Sequence, residues 1–125
     1  MSRIHLSPYV NFQGRAREAM EFYHQVLGGS LDLQTSSDRI TYARLEADGM
    51  RIVGSDGHPD YPAKVGENLA IALGGTDKDR LARIFDQLAE GGRIQMPLAT
   101  QPSGAEVGWL KDRFGISWTV TIDRA

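Results

Sequence analysis

The strongest constraint on the fold is a plan that the chain uses twice. Residues 8–29, PYVNFQGRAREAMEFYHQVLGG, read as a strand, a turn, an amphipathic helix and a glycine stop. The first strand is expected over residues 6–12, where Val10 and Phe12 alternate against Tyr9 and Asn11 with the period of two that a strand imposes. From Ala16 the period changes to that of a helix: Ala16, Ala19, Met20, Tyr23, Val26 and Leu27 form one stripe, and Arg17, Glu21 and His24 fall opposite it. Gly28-Gly29 ends the helix, because glycine enters the left-handed region without steric cost. Residues 68–92 repeat the plan. Leu69, Ile71 and Leu73 alternate against Asn68, Ala70 and Ala72; Thr76 or Asp77 can cap a helix; Leu81, Ile84, Phe85 and Leu88 make its stripe; Gly91-Gly92 stops it. A single offset carries Ala19 onto Leu81, Tyr23 onto Phe85 and Val26 onto Leu88, which marks an internal repeat.

Three strands follow each helix. After the first come 30–36, 40–47 and 50–55, turning at Ser37-Asp38 and at the hairpin dipeptide Asp48-Gly49. Tyr42, Arg44 and Glu46 share one face of the middle strand, and Ala43 and Leu45 the other. After the second helix come 93–96, 105–111 and 116–122, with a polar loop holding Pro97, Pro102 and Gly104 between the first two. In the last strand Ile116, Trp118, Val120 and Ile122 oppose Ser117, Thr119 and Thr121. The expectation is an α+β chain of two βαβββ modules. It makes one domain over residues 1–125: module one 4–55, a Pro- and Gly-rich linker 56–66, and module two 67–123. The helices are expected at Ala16–Leu27 and Lys78–Ala89.

The 125 residues suffice to bury a core. A net charge of -2 argues against nucleic acid as partner, since a surface that tracks phosphates needs a basic excess. The chain has no cysteine, so disulfides and thiolate chemistry are excluded. No apolar run approaches the ~20 residues that span a bilayer, and the start MSRIHLSPYV lacks a signal-peptide apolar region. The expected location is the cytoplasm.

Four stretches carry a family resemblance: residues 8–29 quoted above, RIFDQLAEGG at 83–92, MPL at 96–98 and GWLKDRFGISW at 108–118. With them the chain resembles the PhnB-like branch of the vicinal oxygen chelate superfamily, which includes glyoxalase I, bleomycin-resistance proteins and extradiol dioxygenases. The resemblance covers nearly the whole chain. It implies the glyoxalase/bleomycin-resistance-like fold, paired βαβββ modules that form a curled mixed sheet, a cup with helices outside and a ligand inside, and a homodimer. Metal-dependent members place His or Glu on cup-facing strand positions. The matching positions here are Ser7 or Pro8, residues 68–70 and, four past the glycine of the Asp112 to Gly115 turn, Thr119. None is His, Asp or Glu, so the expectation is no metal and no cofactor.

The strand faces turned away from the helices carry small, mildly polar residues, which leave volume for a ligand and a few oriented hydrogen bonds. Tyr9, Asn11, Tyr42, Arg44, Trp109 and Thr119 are the expected ligand-binding residues; Trp118 alternates into the core. The expected function is binding of a small organic molecule, aromatic or cationic, between aromatic faces. The alternative is a metal-dependent lyase, dioxygenase or transferase of the same superfamily with displaced ligands: His5, which shares a face with Ser7, His58 in the linker sequence DGHPD, or Glu46. His24 belongs to the solvent face of its helix. No Ser-His-Asp set, nucleophile elbow, phosphate loop or glycine-rich cofactor-binding turn occurs.

Overall fold

The computed structural model describes residues 4, 6–60, 62–66 and 68–124. The chain divides into two compact units, Met1–Lys64 and Val65–Ala125. In the first, β1 (Tyr9–Asn11), α1 (Ala16–Leu27), β2 (Ser30–Ser36), β3 (Arg39–Ala47) and β4 (Met50–Ser55) build a sheet of order β1-β4-β3-β2. The second repeats the order as β5-β8-β7-β6, from β5 (Ile71–Gly75), α2 (Lys78–Ala89), β6 (Arg93–Thr100), β7 (Glu106–Lys111) and β8 (Ser117–Ile122). In each sheet the strand before the helix pairs parallel with the last strand, and all other pairs are antiparallel. The described residues thus form eight strands in two mixed sheets with two helices, each unit a βαβββ module.

In the first unit Ala16, Ala19, Met20, Tyr23 and Leu27 bury against Ile40, Ala43, Leu45, Ala47 and Ile52. Each large side chain taken out of water this way stabilises the unit by roughly 1.5–3 kcal/mol. Phe12 joins them, its ring centroid 6.1 Å from that of Tyr23. It fits because Gly54 has no side chain: a Cβ there would lie 2.6 Å from the Phe12 ring. The second core repeats the device, since a Cβ on Gly108 would lie 2.8 Å from the Phe85 ring. Phe85 packs with Leu81, Ile84, Leu88, Leu110, Trp118, Val120 and Ile122.

The helix starts differ. Asp77 caps α2 locally, accepting the Arg80 N–H at 3.2 Å. The residue before α1, Arg15, makes no side-chain cap. Asp56, just past β4, does the capping: one oxygen accepts the Ala16 N–H at 2.9 Å and the other the Ile40 N–H at 2.7 Å. One carboxylate so ties the helix start, the start of β3 and the end of β4. His24 turns its ring back to the Gly29 carbonyl, 3.0 Å away, so this histidine closes the end of α1 rather than simply facing water. Asp48 and Gly49 both have positive φ, 44° and 78°, as a two-residue hairpin turn of that hand needs.

Three strands differ from the sequence reading by more than one residue. The first covers only Tyr9–Asn11, not 6–12; Leu6 is exposed, and Phe12 leaves the strand to enter the core. The fifth is Ile71–Gly75 rather than 68–73, because pairing with β8 begins at Ile71 opposite Trp118, so the alternation of Leu69 has no partner strand and Leu69 is 83% exposed. The sixth continues through Pro97 to Thr100. It lies at the edge of its sheet, where a missing N–H costs no ladder bond, and the register shifts on both sides of Met96 absorb the ring.

Candidate functional site

Residues paired across neighbouring strands share a face, so the register reads out the face opposite each helix. In the first unit Tyr9 stands opposite Val53, Val53 opposite Arg44, and Arg44 opposite Asp32. Asn11 pairs with Ser55, Tyr42 with Gln34, and Glu46 with both Arg51 and Ser30. Tyr9, Asn11, Tyr42 and Arg44 therefore lie on one face. Tyr9 is 60% exposed, yet its hydroxyl is held 2.5 Å from Ser55 Oγ, which also accepts the Gly57 N–H at 3.0 Å. Since Tyr9 pairs with Val53, reaching Ser55 lays the phenol diagonally across the sheet and leaves a ring face open. Asn11 is fixed too. Its Oδ1 accepts the Gln13 N–H at 2.9 Å, and its amide lies so close to Gly57 that a Cβ there would meet it at 2.5 Å.

Arg44 is not a loose cation. Its guanidinium lies 3.1 Å from Glu46 and 3.8 Å from Asp32, and Glu46 also meets Arg51 at 3.3 Å. Two guanidinium and two carboxylate groups cancel, so this face carries shape and hydrogen bonding but no net charge. Pairs as exposed as these contribute about 0–1 kcal/mol each to stability.

In the second unit one row of the face opposite α2 reads Ala72, Thr119, Trp109, Met96, and the next Gly74, Thr121, Val107, Ala99. Thr119 and Trp109 are direct neighbours. The indole of Trp109 is 40% exposed and rises beside small residues, whereas Trp118 is buried in the core. The turn leading into β8 is set by Asp112. This buried carboxylate accepts N–H bonds from Phe114 at 2.8 Å, Ile116 at 3.0 Å and the Trp118 indole at 2.9 Å. It fixes which side of β8 turns inward, and hence that Thr119 faces outward.

The positions that resemble the superfamily's metal ligands do not fit a divalent ion. Ser7 Oγ is buried without a hydrogen-bond partner, Thr119 sits between Ala72 and Trp109, and residues 68–70 precede the paired strand. Neutral hydroxyls alone do not offset the dehydration of such a cation. Among the described residues, no three His, Asp or Glu side chains gather to hold a metal. Of the displaced ligands, His5 lies outside the described residues. Glu46 is committed to two arginines, and His58 follows Asp56, which is bonded to Ile40 at the far end of β3 from Glu46. Six residues of strand separate Ile40 from Glu46, about 20 Å at ~3.3 Å each, so His58 and Glu46 cannot share an ion.

Ser55 and Asp112 escaped the sequence reading as site-organising residues. Ser55 was visible only as a strand end and Asp112 only as a turn; their partners are set by register.

These parallel and antiparallel pairings, repeated in two βαβββ modules, define the glyoxalase/bleomycin resistance/dioxygenase fold. A member of that superfamily from Sphaerobacter thermophilus DSM 20745 superposes with a TM-score of 0.65 at 20% identity, over 98% of each chain. The family model described as 3-demethylubiquinone-9 3-methyltransferase matches residues 5–121, and the chain belongs to that PhnB-like family. The protein PA1353 from Pseudomonas aeruginosa is 35% identical, with a TM-score of 0.88 over 98% of this chain and 100% of its own. The PhnB protein from Bacillus cereus is 23% identical, with a TM-score of 0.77 over 94% of this chain and 98% of its own. No helix among the described residues is long and apolar enough to cross a membrane.

Proposed function

We propose that this protein binds a small, planar organic molecule on the strand faces turned away from the helices, without a metal, as a single cytoplasmic domain that works as a homodimer. Tyr9, Asn11, Tyr42 and Arg44 are the contact residues on the face of the first unit, and Trp109 and Thr119 those on the face of the second. The observation that carries the reading is the Tyr9–Ser55 hydroxyl pair. It holds an exposed aromatic ring in one pose, and a ring ordered beforehand loses less freedom when a ligand stacks on it. The exposed Trp109 indole beside Thr119 offers a second such surface. The cancelled charges around Arg44 favour a ligand body recognised by stacking and a few hydrogen bonds over one drawn by net charge. The homodimer is supported by the exposed apolar side chains Ile94 and Met96 on edge strand β6, which a second copy would cover.

A thermal-shift screen of small aromatic and heteroaromatic compounds, run on chelator-treated protein, tests the reading, because a ligand that binds only the folded state raises Tm by mass action. Hits that lose their shift in Tyr9→Ala or Trp109→Ala support it. Hits that appear only when a divalent metal is restored would move the protein to the metal-dependent class.

A further inference from the structure

A groove of about 400 Å³ lies in the first unit at the end of the sheet where α1 starts, away from the charge ladder of Arg44. Asn11, Asp38, Arg39, Asp56, His58 and Pro59 are among the residues that line it. Their commitments differ. Both Asp56 oxygens are taken by the Ala16 and Ile40 N–H groups, and the Gly14 N–H is taken by the Asp56 carbonyl, so these groups are already committed. His58 Nδ1 accepts the Asp60 N–H at 3.1 Å. Asn11 uses its carbonyl oxygen on Gln13, which leaves its NH2 as a donor without a partner among the described residues. Asp38 and Arg39, in contrast, make no side-chain hydrogen bond or ion pair among the described residues, with each other or with any other group.

An unpaired guanidinium and an unpaired carboxylate in one small groove are unusual neighbours, since adjacent opposite charges ordinarily pair. Here the turn at Ser37, with φ 56°, breaks the strand alternation, and the Asp56 clamp on Ile40 fixes the residues that follow it. Asp38 and Arg39 then both border the groove without pairing with each other. A simple anion would meet Arg39 but be repelled by Asp38, and a simple cation the reverse. A molecule carrying both signs satisfies both, with the Asn11 NH2 as a further donor and the Pro59 ring as an apolar wall.

We propose that this groove is a binding site for small zwitterions of the amino-acid type, with the carboxylate on Arg39 and the ammonium on Asp38. The site shares Asn11 with the face that carries Tyr9 but uses none of its aromatic rings. The test is a titration of the full chain, followed by two-dimensional NMR, with glycine, acetate and methylammonium as probes. Glycine should shift the amide signals of Asp38 and Arg39 and the ring signals of His58, and should bind up to about fivefold more tightly than either single-charge probe, since an ion pair this exposed is worth at most roughly a factor of five. Arg39→Gln and Asp38→Asn should each bring glycine down to the single-charge level, and Arg39→Lys should retain most of the binding. Acetate binding as tightly as glycine, no shift with glycine, or full binding in Arg39→Gln would overturn the proposal. Both positions border a surface turn, so an unchanged spectrum elsewhere in each variant shows that the fold is kept.

Discussion

Asp112→Asn is the substitution whose cost the structure defines best. The carboxylate is buried and accepts two backbone N–H bonds through Oδ1 and the Trp118 indole N–H through Oδ2. An asparagine can keep its carbonyl oxygen on Phe114 and Ile116. Its NH2 then faces the indole N–H, donor against donor, inside a core where Trp118 is 1% exposed and water cannot substitute. A hydrogen bond to a charged group contributes about 1.5–3 kcal/mol, and a stranded buried donor costs about 1–3 kcal/mol. Asp112→Asn should therefore lose about 2–3 kcal/mol. Asp112→Ala, which strands all three donors, should lose about 3–5 kcal/mol, a large part of the stability of a domain this size. Urea unfolding followed by far-ultraviolet circular dichroism measures both. In a cycle with Trp118→Phe, the pair should couple by more than ~1 kcal/mol, as contacting residues do. A loss below ~0.5 kcal/mol for Asp112→Asn, or no coupling, would refute the assignment of this carboxylate as the organiser of the β7–β8 turn.

Other outcomes follow from the same packing. Gly108→Ala should cost about 1–3 kcal/mol by overpacking, since its Cβ would press on Phe85 and on Leu98 at 3.1 Å; denaturant midpoints report it. Gly29→Ala should be more severe, because the new Cβ would collide with the backbone carbonyl of Glu46 at a residue whose φ is already 81°, and the yield of folded protein measures that. Asp56→Ala should lose about 2 kcal/mol or more, combining a lost helix cap with a released Ile40 N–H, and hydrogen exchange should speed up first at Ala16 and Ile40.

Both helices were legible residue for residue, because a 3.6-residue stripe and a glycine stop are local signals that burial reinforces. The strands were legible in number and order, while their ends were not. Leu69 alternates as well as Ile71 does, and only the start of β8 decides that one is paired and the other is not. Pro97 reads as a loop until its strand is known to be an edge. The candidate site divides in the same way. Alternation grouped Tyr9 with Asn11 and Tyr42 with Arg44, and the strand register joins the two pairs on one face. What holds them came from contacts distant in sequence: Ser55 on Tyr9, and Asp32 and Glu46 on Arg44. The Asp38–Arg39 groove was invisible for the same reason, since turn residues carry no periodic signal and the linker that covers them has no pattern of its own.

The two tryptophans offer the most direct test of ligand binding on the open faces. Their indole N–H signals are separate reporters: Trp118 is locked to Asp112 in the core, and Trp109 stands exposed beside Thr119. A compound selected by thermal shift is titrated into chelator-treated protein while both signals are followed by NMR. The Trp109 signal should move in a saturable way while the Trp118 signal stays in place. Saturable binding that leaves Trp109 unmoved, or that needs an added divalent metal, would contradict it.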